Sequence, residues 1–256
     1  MRAAAFFDLD RTLISGVSVF PFATEAWRQG LVSNRQIGEW ALDALIFSAL
    51  GESPERKEEA RTAVLRGIAG ISVETLEEVA RAVVPRLESR VRPESRALLD
   101  MHREAGRDTW IVSASPHAIV ERLAHILGMT GGIGTKGTVV EGHFTDQIDG
   151  PFVHGEGKAT AVQSVISERG YAPEACYAYS DSVSDLPMLE LVGHPVAVNP
   201  DSSLETLARQ RGWPMVVFAR RTKLAVAWSA GSLSVVGVAV AGYLLGRRHG
   251  RSSPVI

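Results

Sequence analysis

Two carboxylates, Asp8 and Asp10, stand one residue apart at the end of an apolar run over residues 3–7. Such a run reads as a buried strand, and ligands of open α/β sheets bind outside the carboxyl ends of strands. Two acids at one strand tip repel each other or share a cation. A hard divalent ion with oxygen ligands, Mg2+ above all, suits them. One acid can then attack phosphorus to give an aspartyl-phosphate while the other moves the proton. Alone, Asp-Leu-Asp fits an acid-rich turn or helix cap equally well.

Three further groups supply the rest of a phosphoryl-transfer centre. Residues 109–112 form a second apolar strand ending in Ser113, where a hydroxyl and the following backbone N–H groups, beginning with Ala114, make a phosphate cradle. A serine there is also an ordinary helix cap. Lys158 heads a helical pattern and can neutralise both a phosphate and the nucleophilic carboxylate; by itself it also reads as a solvated lysine. Residues 175–179 form a third apolar strand, followed by Ser180, Asp181, Ser182, Val183, Ser184 and Asp185. Asp181 can complete a metal site, and Asp185 can orient a water or Lys158, with Thr12 and Ser184 as supporting hydroxyls. The competing explanation is a capped helix start, since Pro187 follows closely.

In this order the pieces, Asp-x-Asp-x-Thr at 8–12, Ser113, Lys158 and Asp-x-x-x-Asp at 181–185, resemble the haloacid dehalogenase (HAD) superfamily. The resemblance covers about residues 3–218 and is closest to subfamily IB, the phosphoserine phosphatase-like group. It implies that Asp8 is the nucleophile, Asp10 the general acid/base, and Ser113 and Lys158 the phosphate-binding pair. It also implies Mg2+ held by the Asp8 side chain, the Asp10 backbone carbonyl and Asp181. Members that dehalogenate or pump ions lack an acid where Asp10 stands, so the resemblance implies a phosphatase or phosphomutase. One departure concerns substrate: phosphoserine phosphatases carry an acid soon after the first motif, and here none appears between Asp10 and Glu25.

These residues need a doubly wound α/β core with a parallel sheet, expected over 1–18 and 93–219. Between its parts, residues 19–92 carry helical periodicity without strand signals and are expected to form an α-helical cap over the site. Within it, residues 34–50 place Ile37, Trp40, Ala41, Leu45 and Ala49 mostly on one face, Ser53-Pro54 opens a second stretch, and Ser72 opens a third. The Gly-rich, alternating stretch 131–155 reads as a hairpin or extended excursion.

The chain has 256 residues, one cysteine (Cys176) and no zinc-like Cys/His spacing, so no internal disulfide forms. After Ala219 come six basic residues and no acid; the remainder therefore carries 21 basic and 29 acidic residues, a net of −8. So acidic a body argues against a nucleic-acid partner. Residues 224–246 are uncharged, flanked by basic clusters, with Trp228 and Tyr243 near the ends. At about 1.5 Å per residue they suffice for a transmembrane helix. A buried C-terminal helix is the alternative. Residues 220–256 are thus expected to anchor the protein in the cell membrane by a single pass, with the catalytic part in the cytoplasm because the first strand begins at once, without a signal peptide.

The expected activity is Mg2+-dependent hydrolysis of a small-molecule or lipid-linked phosphate monoester. The alternatives are a phosphomutase or phosphotransferase, or a membrane-tethered binding or regulatory protein on an inactive fold.

Overall fold

Strand β1 (Ala4–Asp8) is buried along its whole length. Its side chains alternate between two cores, Ala5 and Phe7 into one and Ala4 and Phe6 into the other. An apolar strand without polar alternation belongs at the centre of a parallel sheet covered on both faces. In the computed structural model, which describes residues 2–31 and 69–218, it lies there. With β2 (Asp108–Pro116), β3 (Gly131–Thr135), β6 (Tyr177–Ser180), β7 (His194–Val198) and β8 (Met215–Val216) it makes one sheet in the order β3-β2-β1-β6-β7-β8. Every pairing in that sheet is parallel.

Helices cover both faces. On one side α3 (Pro93–Glu104) and α4 (His117–Ile126) lie on the sheet, α2 (Val73–Glu88) packs on α4 and α1 (Val19–Arg28) on α2, so that Phe22, Val83, Leu99 and Leu123 share one core with Phe7. On the other, α5 (Glu156–Arg169), α6 (Leu186–Glu190) and α7 (Ser202–Arg211) pack Val162, Met188 and Leu204 against Phe6. The expected doubly wound parallel core is present. The chain steps outward from β1 through β2 to β3, then returns and steps the other way from β6 to β8. The reversal falls between β1 and β6, so the crevice for ligands opens at the tips of those two strands.

Several boundaries differ from the sequence expectation. The second strand continues past Ser113 to Pro116 through an irregularity in register. The third begins at Tyr177, because Pro173–Ala175 forms a 3-10 turn. The stretch 131–155 divides: Gly131–Thr135 joins the main sheet as β3, and only β4 (Gly137–Val140) with β5 (His143–Ile148) makes the antiparallel hairpin. The Gly-Gly-Ile-Gly sequence of β3 belongs to the main sheet rather than to the hairpin, and its glycines let α4 lie directly on it. A Cβ on Gly132 would stand 2.6 Å from the backbone of Val120 and Glu121.

Ser72 caps α2, accepting from the Thr75 N–H at 3.1 Å. The segment leading into it is tied to the hairpin tip by Gly70 N to Phe144 O (2.7 Å), Phe144 N to Ile71 O (2.9 Å) and Val73 N to Gly142 O (3.0 Å). The periodic stretches at 34–50 and from Ser53 lie outside the described residues, as does the span expected over 224–246. Among the described residues no helix is long and apolar enough to cross a membrane.

Under β1 a polar group is held in the core. His102 is fully buried, and Arg107 Nη1 lies 3.0 Å from its Nδ1. A guanidinium only donates, so Nδ1 accepts and Nε2–H is the donor to the Tyr179 hydroxyl at 2.7 Å. Phe7 stacks on Tyr179 with centroids 4.4 Å apart. Burial, then the Arg107 charge, push the His102 pKa from 6.5 down to about 4. Between these values the unfolded chain binds a proton that the folded chain does not, so stability falls as pH drops through that window.

Two outcomes are expected here. Gly132→Ala overpacks the α4–β3 contact and lowers stability by about 1–3 kcal/mol, read from the urea midpoint. His102→Leu flattens the loss of stability between pH 6.5 and 4; an unchanged acid limb would show that His102 does not cause it.

Candidate active site

The nucleophile candidate Asp8 ends β1 and is almost buried. Lys158 Nζ donates to Asp8 Oδ1 at 2.7 Å and to Asp185 Oδ2 at 2.7 Å. The lysine is itself buried, which reverses the solvated reading. Its position follows from local packing. Lys158 is the third residue of α5, and a Cβ at Gly157 just before it would collide with the Phe152 carbonyl, so only glycine lets the helix start this close. Val162 and Ile166 lie one and two turns on and fix the same helix face into the core.

The Asp181–Asp185 segment follows β6. Asp185 occupies the N-cap position of α6, yet its side chain makes no cap bond. It accepts from Lys158 and from the Ser180 hydroxyl, both at 2.7 Å. The capped-helix alternative therefore fails at this residue. Asp181 is buried, with Arg11 Nε 2.8 Å from its Oδ2 and the Thr12 hydroxyl 3.5 Å from its Oδ1. Asp201 braces the turn from outside, accepting from Val183 N at 2.9 Å and Leu204 N at 2.8 Å, while its own N–H donates to the Asp181 carbonyl.

Asp10 leaves the strand in a tight turn in which Leu13 N and Ile14 N both donate to the Leu9 carbonyl at 3.0 Å. Arg11 holds a left-handed φ of 61° there, a costly conformation for a residue with a Cβ and one that active sites retain. The Asp10 carboxylate accepts from Ser18 N at 2.7 Å and from Ser18 Oγ at 3.0 Å. Ser113 is buried on β2, and its Oγ accepts from Ser115 N at 3.2 Å, so its own O–H remains the donor for a ligand. Ala114 follows it, half-buried, and supplies a backbone N–H in the same irregular strand end.

Of the residues expected from sequence, Asp8, Lys158 and Asp185 form one hydrogen-bonded unit, and Asp181 and Thr12 meet beside it. Ser184 does not join: its hydroxyl donates to Ser182 at 3.1 Å, within its own turn. The residues not foreseen are Arg11, Ser18, Ser115, Ser180 and Asp201. Ser180 and Asp201 flank motif strands and could have been suspected as turn braces. Ser18 and Ser115 become neighbours only through the fold.

The electrostatics follow from burial. Burial raises the Asp8 pKa to about 6, with Lys158 acting against it and Asp185 and Asp10 adding to it. Burial again, then the Asp8 charge, raise Asp181 to about 8 despite Arg11. Asp10 is also raised by burial, opposed by Ser18. For Lys158 burial pulls the pKa down, but Asp185 and Asp8 outweigh it and hold the ammonium charged. Four carboxylates, Asp8, Asp10, Asp181 and Asp185, thus lie around one buried lysine. Such a site favours a further cation, and its oxygens are the hard donors Mg2+ takes. Among the described residues no three acidic, His or Cys side chains form a metal cluster unaided. Asp8 and Asp181, with the Asp10 backbone carbonyl, are the oxygens that could hold such an ion.

This fold and this constellation define a phosphoryl-handling α/β hydrolase. A family model described as haloacid dehalogenase-like hydrolase matches residues 5–190, and the chain belongs to that family. Within it the chain is a phosphatase-type enzyme. It is 37% identical over 224 residues to a probable phosphatase of Mycobacterium tuberculosis strain H37Rv, covering 87% of this chain and 78% of that one. It is 36% identical over 255 residues to the phosphoserine phosphatase SerB1 of the same organism, covering 98% and 82%. A crystal structure from Bordetella pertussis Tohama I, of a protein of unknown function, superposes with a TM-score of 0.74 at 26% identity, covering 84% of this chain and 98% of that one.

Lys158→Met leaves Asp8 and Asp185 facing each other in a dry site. The expected cost is about 3–5 kcal/mol in chemical denaturation, the scale for breaking a buried charge pair. A variant as stable as the parent would refute the charge balance described.

Proposed function

We propose that the protein hydrolyses a phosphate monoester through an aspartyl-phosphate on Asp8, with Mg2+ as cofactor. The observation that carries this is the Lys158 ammonium bonded to both Asp8 and Asp185 at 2.7 Å. It keeps Asp8 available as an anion near neutral pH and places positive charge where a phosphoryl group arrives. Asp8 attacks phosphorus in line, forming a new P–O bond as the ester P–O bond breaks. Asp10 gives its proton to the departing alcohol. It then takes a proton from water as the water oxygen attacks the aspartyl-phosphate, which releases phosphate and restores Asp8. Ser113, Lys158 and the Ala114 N–H hold the transferring oxygens throughout. Mg2+, held by Asp8, Asp181 and the Asp10 carbonyl, would neutralise charge developing on the phosphoryl oxygens.

Residues 19–92 act in this reading as the cap that excludes water and selects the alcohol. Residues 224–246 act as a single-pass anchor, with the catalytic part on the cytoplasmic side. The alcohol is apolar or lipid-linked rather than serine. The first acid after the motif, Glu25, is engaged: Arg86 Nη1 lies 3.1 Å from its Oε2 as a charge contact, and Gln29 donates to Oε1 at 3.3 Å. In its place Val19 and Phe20 stand exposed beside Ser18. SerB1, named for phosphoserine, keeps that ester as the competing substrate.

The expected outcome is Mg2+-dependent phosphate release by the full chain in detergent, abolished in Asp8→Asn, with acyl- or alkyl-bearing phosphates turned over faster than phosphoserine. Near wild-type turnover by Asp8→Asn removes the nucleophile assignment. Phosphoserine as the best substrate removes the lipid reading and leaves the hydrolase.

A further inference from the structure

A serine at a helix start ordinarily caps the helix, its hydroxyl accepting from an N–H two or three residues on. Ser18 precedes α1 and does not do this. Its backbone is helical (φ −69°, ψ −25°) and its side chain makes no cap bond. Instead it is buried, and both its N–H and its hydroxyl go to Asp10, one to each carboxylate oxygen, at 2.7 and 3.0 Å. The same hydroxyl lies 2.9 Å from Ser115 Oγ. Ser18 has one hydroxyl proton, and Asp10 Oδ2 receives it, so in that contact Ser115 is the donor. Ser115 N in turn donates to Ser113 Oγ at 3.2 Å. A continuous line of hydrogen bonds thus joins the acid/base to the phosphate-binding serine, from the loop after β1 to the irregular end of β2.

From this geometry we infer that Ser18 is a positioning residue that aims the Asp10 carboxyl at the ester oxygen, with Ser115 as its brace. Two bonds from one residue fix both the position and the plane of the carboxylate. Without them the carboxyl rotates about its side-chain bonds and loses its alignment with the leaving oxygen. The inference rests on the phosphatase reading above, because it assigns Ser18 to the step in which Asp10 protonates the alcohol.

That step supplies the test. Dinitrophenyl phosphate releases a stable phenolate and has little need of a proton, whereas an alkyl phosphate releases an alkoxide that must be protonated. The first-turnover rate of ester cleavage is measured by quench with Mg2+ present for wild type, Ser18→Ala and Ser18→Thr. Ser18→Ala is expected to slow the alkyl ester about ten- to a hundredfold more than the dinitrophenyl ester, within the range that general acid catalysis spans. Ser18→Thr, which keeps the hydroxyl, restores most of that difference. Ser115→Ala gives the same ester-dependent pattern at smaller size and serves if Ser18→Ala does not fold. Equal slowing of both esters in these variants overturns the positioning role, since a general structural defect makes no distinction by leaving group. Failure of the wild type to cleave either ester overturns the phosphatase reading itself, and this inference with it.

Discussion

A lysine ammonium without water around it is the constraint on which this molecule turns. Burying Lys158 is tolerable only because Asp8 and Asp185 each sit 2.7 Å away. Asp8 ends β1 and Asp185 lies in the turn after β6, so β1, that turn and α5 must meet within hydrogen-bonding error before the charge is compensated. Much of the local sequence serves that meeting. Gly157 lets α5 begin against Phe152, Ser180 shares Asp185, and α6 forgoes an N-cap bond so that Asp185 can face inward. Burial first, and neighbouring carboxylates second, make Asp8 and Asp181 hold protons more tightly than ordinary carboxylates, against the pull of Lys158.

The chemistry is distributed over the two sides of the chain reversal. Asp8 and Asp10 come from β1 and the turn after it, Ser113 from the strand on one side, and Asp181 and Asp185 from beyond the strand on the other. A parallel sheet puts all three tips at one edge, and the reversal of strand order opens the gap between them. Holding Arg11 at a left-handed φ is part of this arrangement, because the chain must turn sharply after Asp10 to bring Ser18 back to it.

Much of this was legible in the sequence. An unbroken apolar run such as 4–7 reads as a buried strand, and acids just past such strands gather at one edge, so Asp8, Asp181 and the parallel doubly wound core followed from pattern and spacing. Lys158 carried no such mark: its burial depends on partners 150 and 27 residues away. The extended character of 131–155 was legible, but the place of β3 in the main sheet was not, because its glycines answer a helix lying on them, a tertiary cause with no local trace. Ser18 and Ser115 were missed for the same reason, being 97 residues apart in sequence and 2.9 Å apart in space. The direction of the Ser184 hydroxyl, which donates to Ser182, could not be read either, because position in a motif says nothing of which way a turn points a side chain.

The position of β1 also bears on how the protein is made. Ala5 pairs with Thr109 on one side and with Tyr177 on the other, partners that lie 104 and 172 residues further along the chain. The strand that carries the nucleophile is the first of the sheet to be made and waits longest for its second neighbour. At about 5–20 residues per second, that second neighbour is synthesised roughly 10–35 s later. Through that interval an apolar strand with unpaired edges is exposed in the nascent chain, a natural ligand for a chaperone. The unit of Asp8, Lys158 and Asp185 therefore cannot form until the chain has been translated past β6.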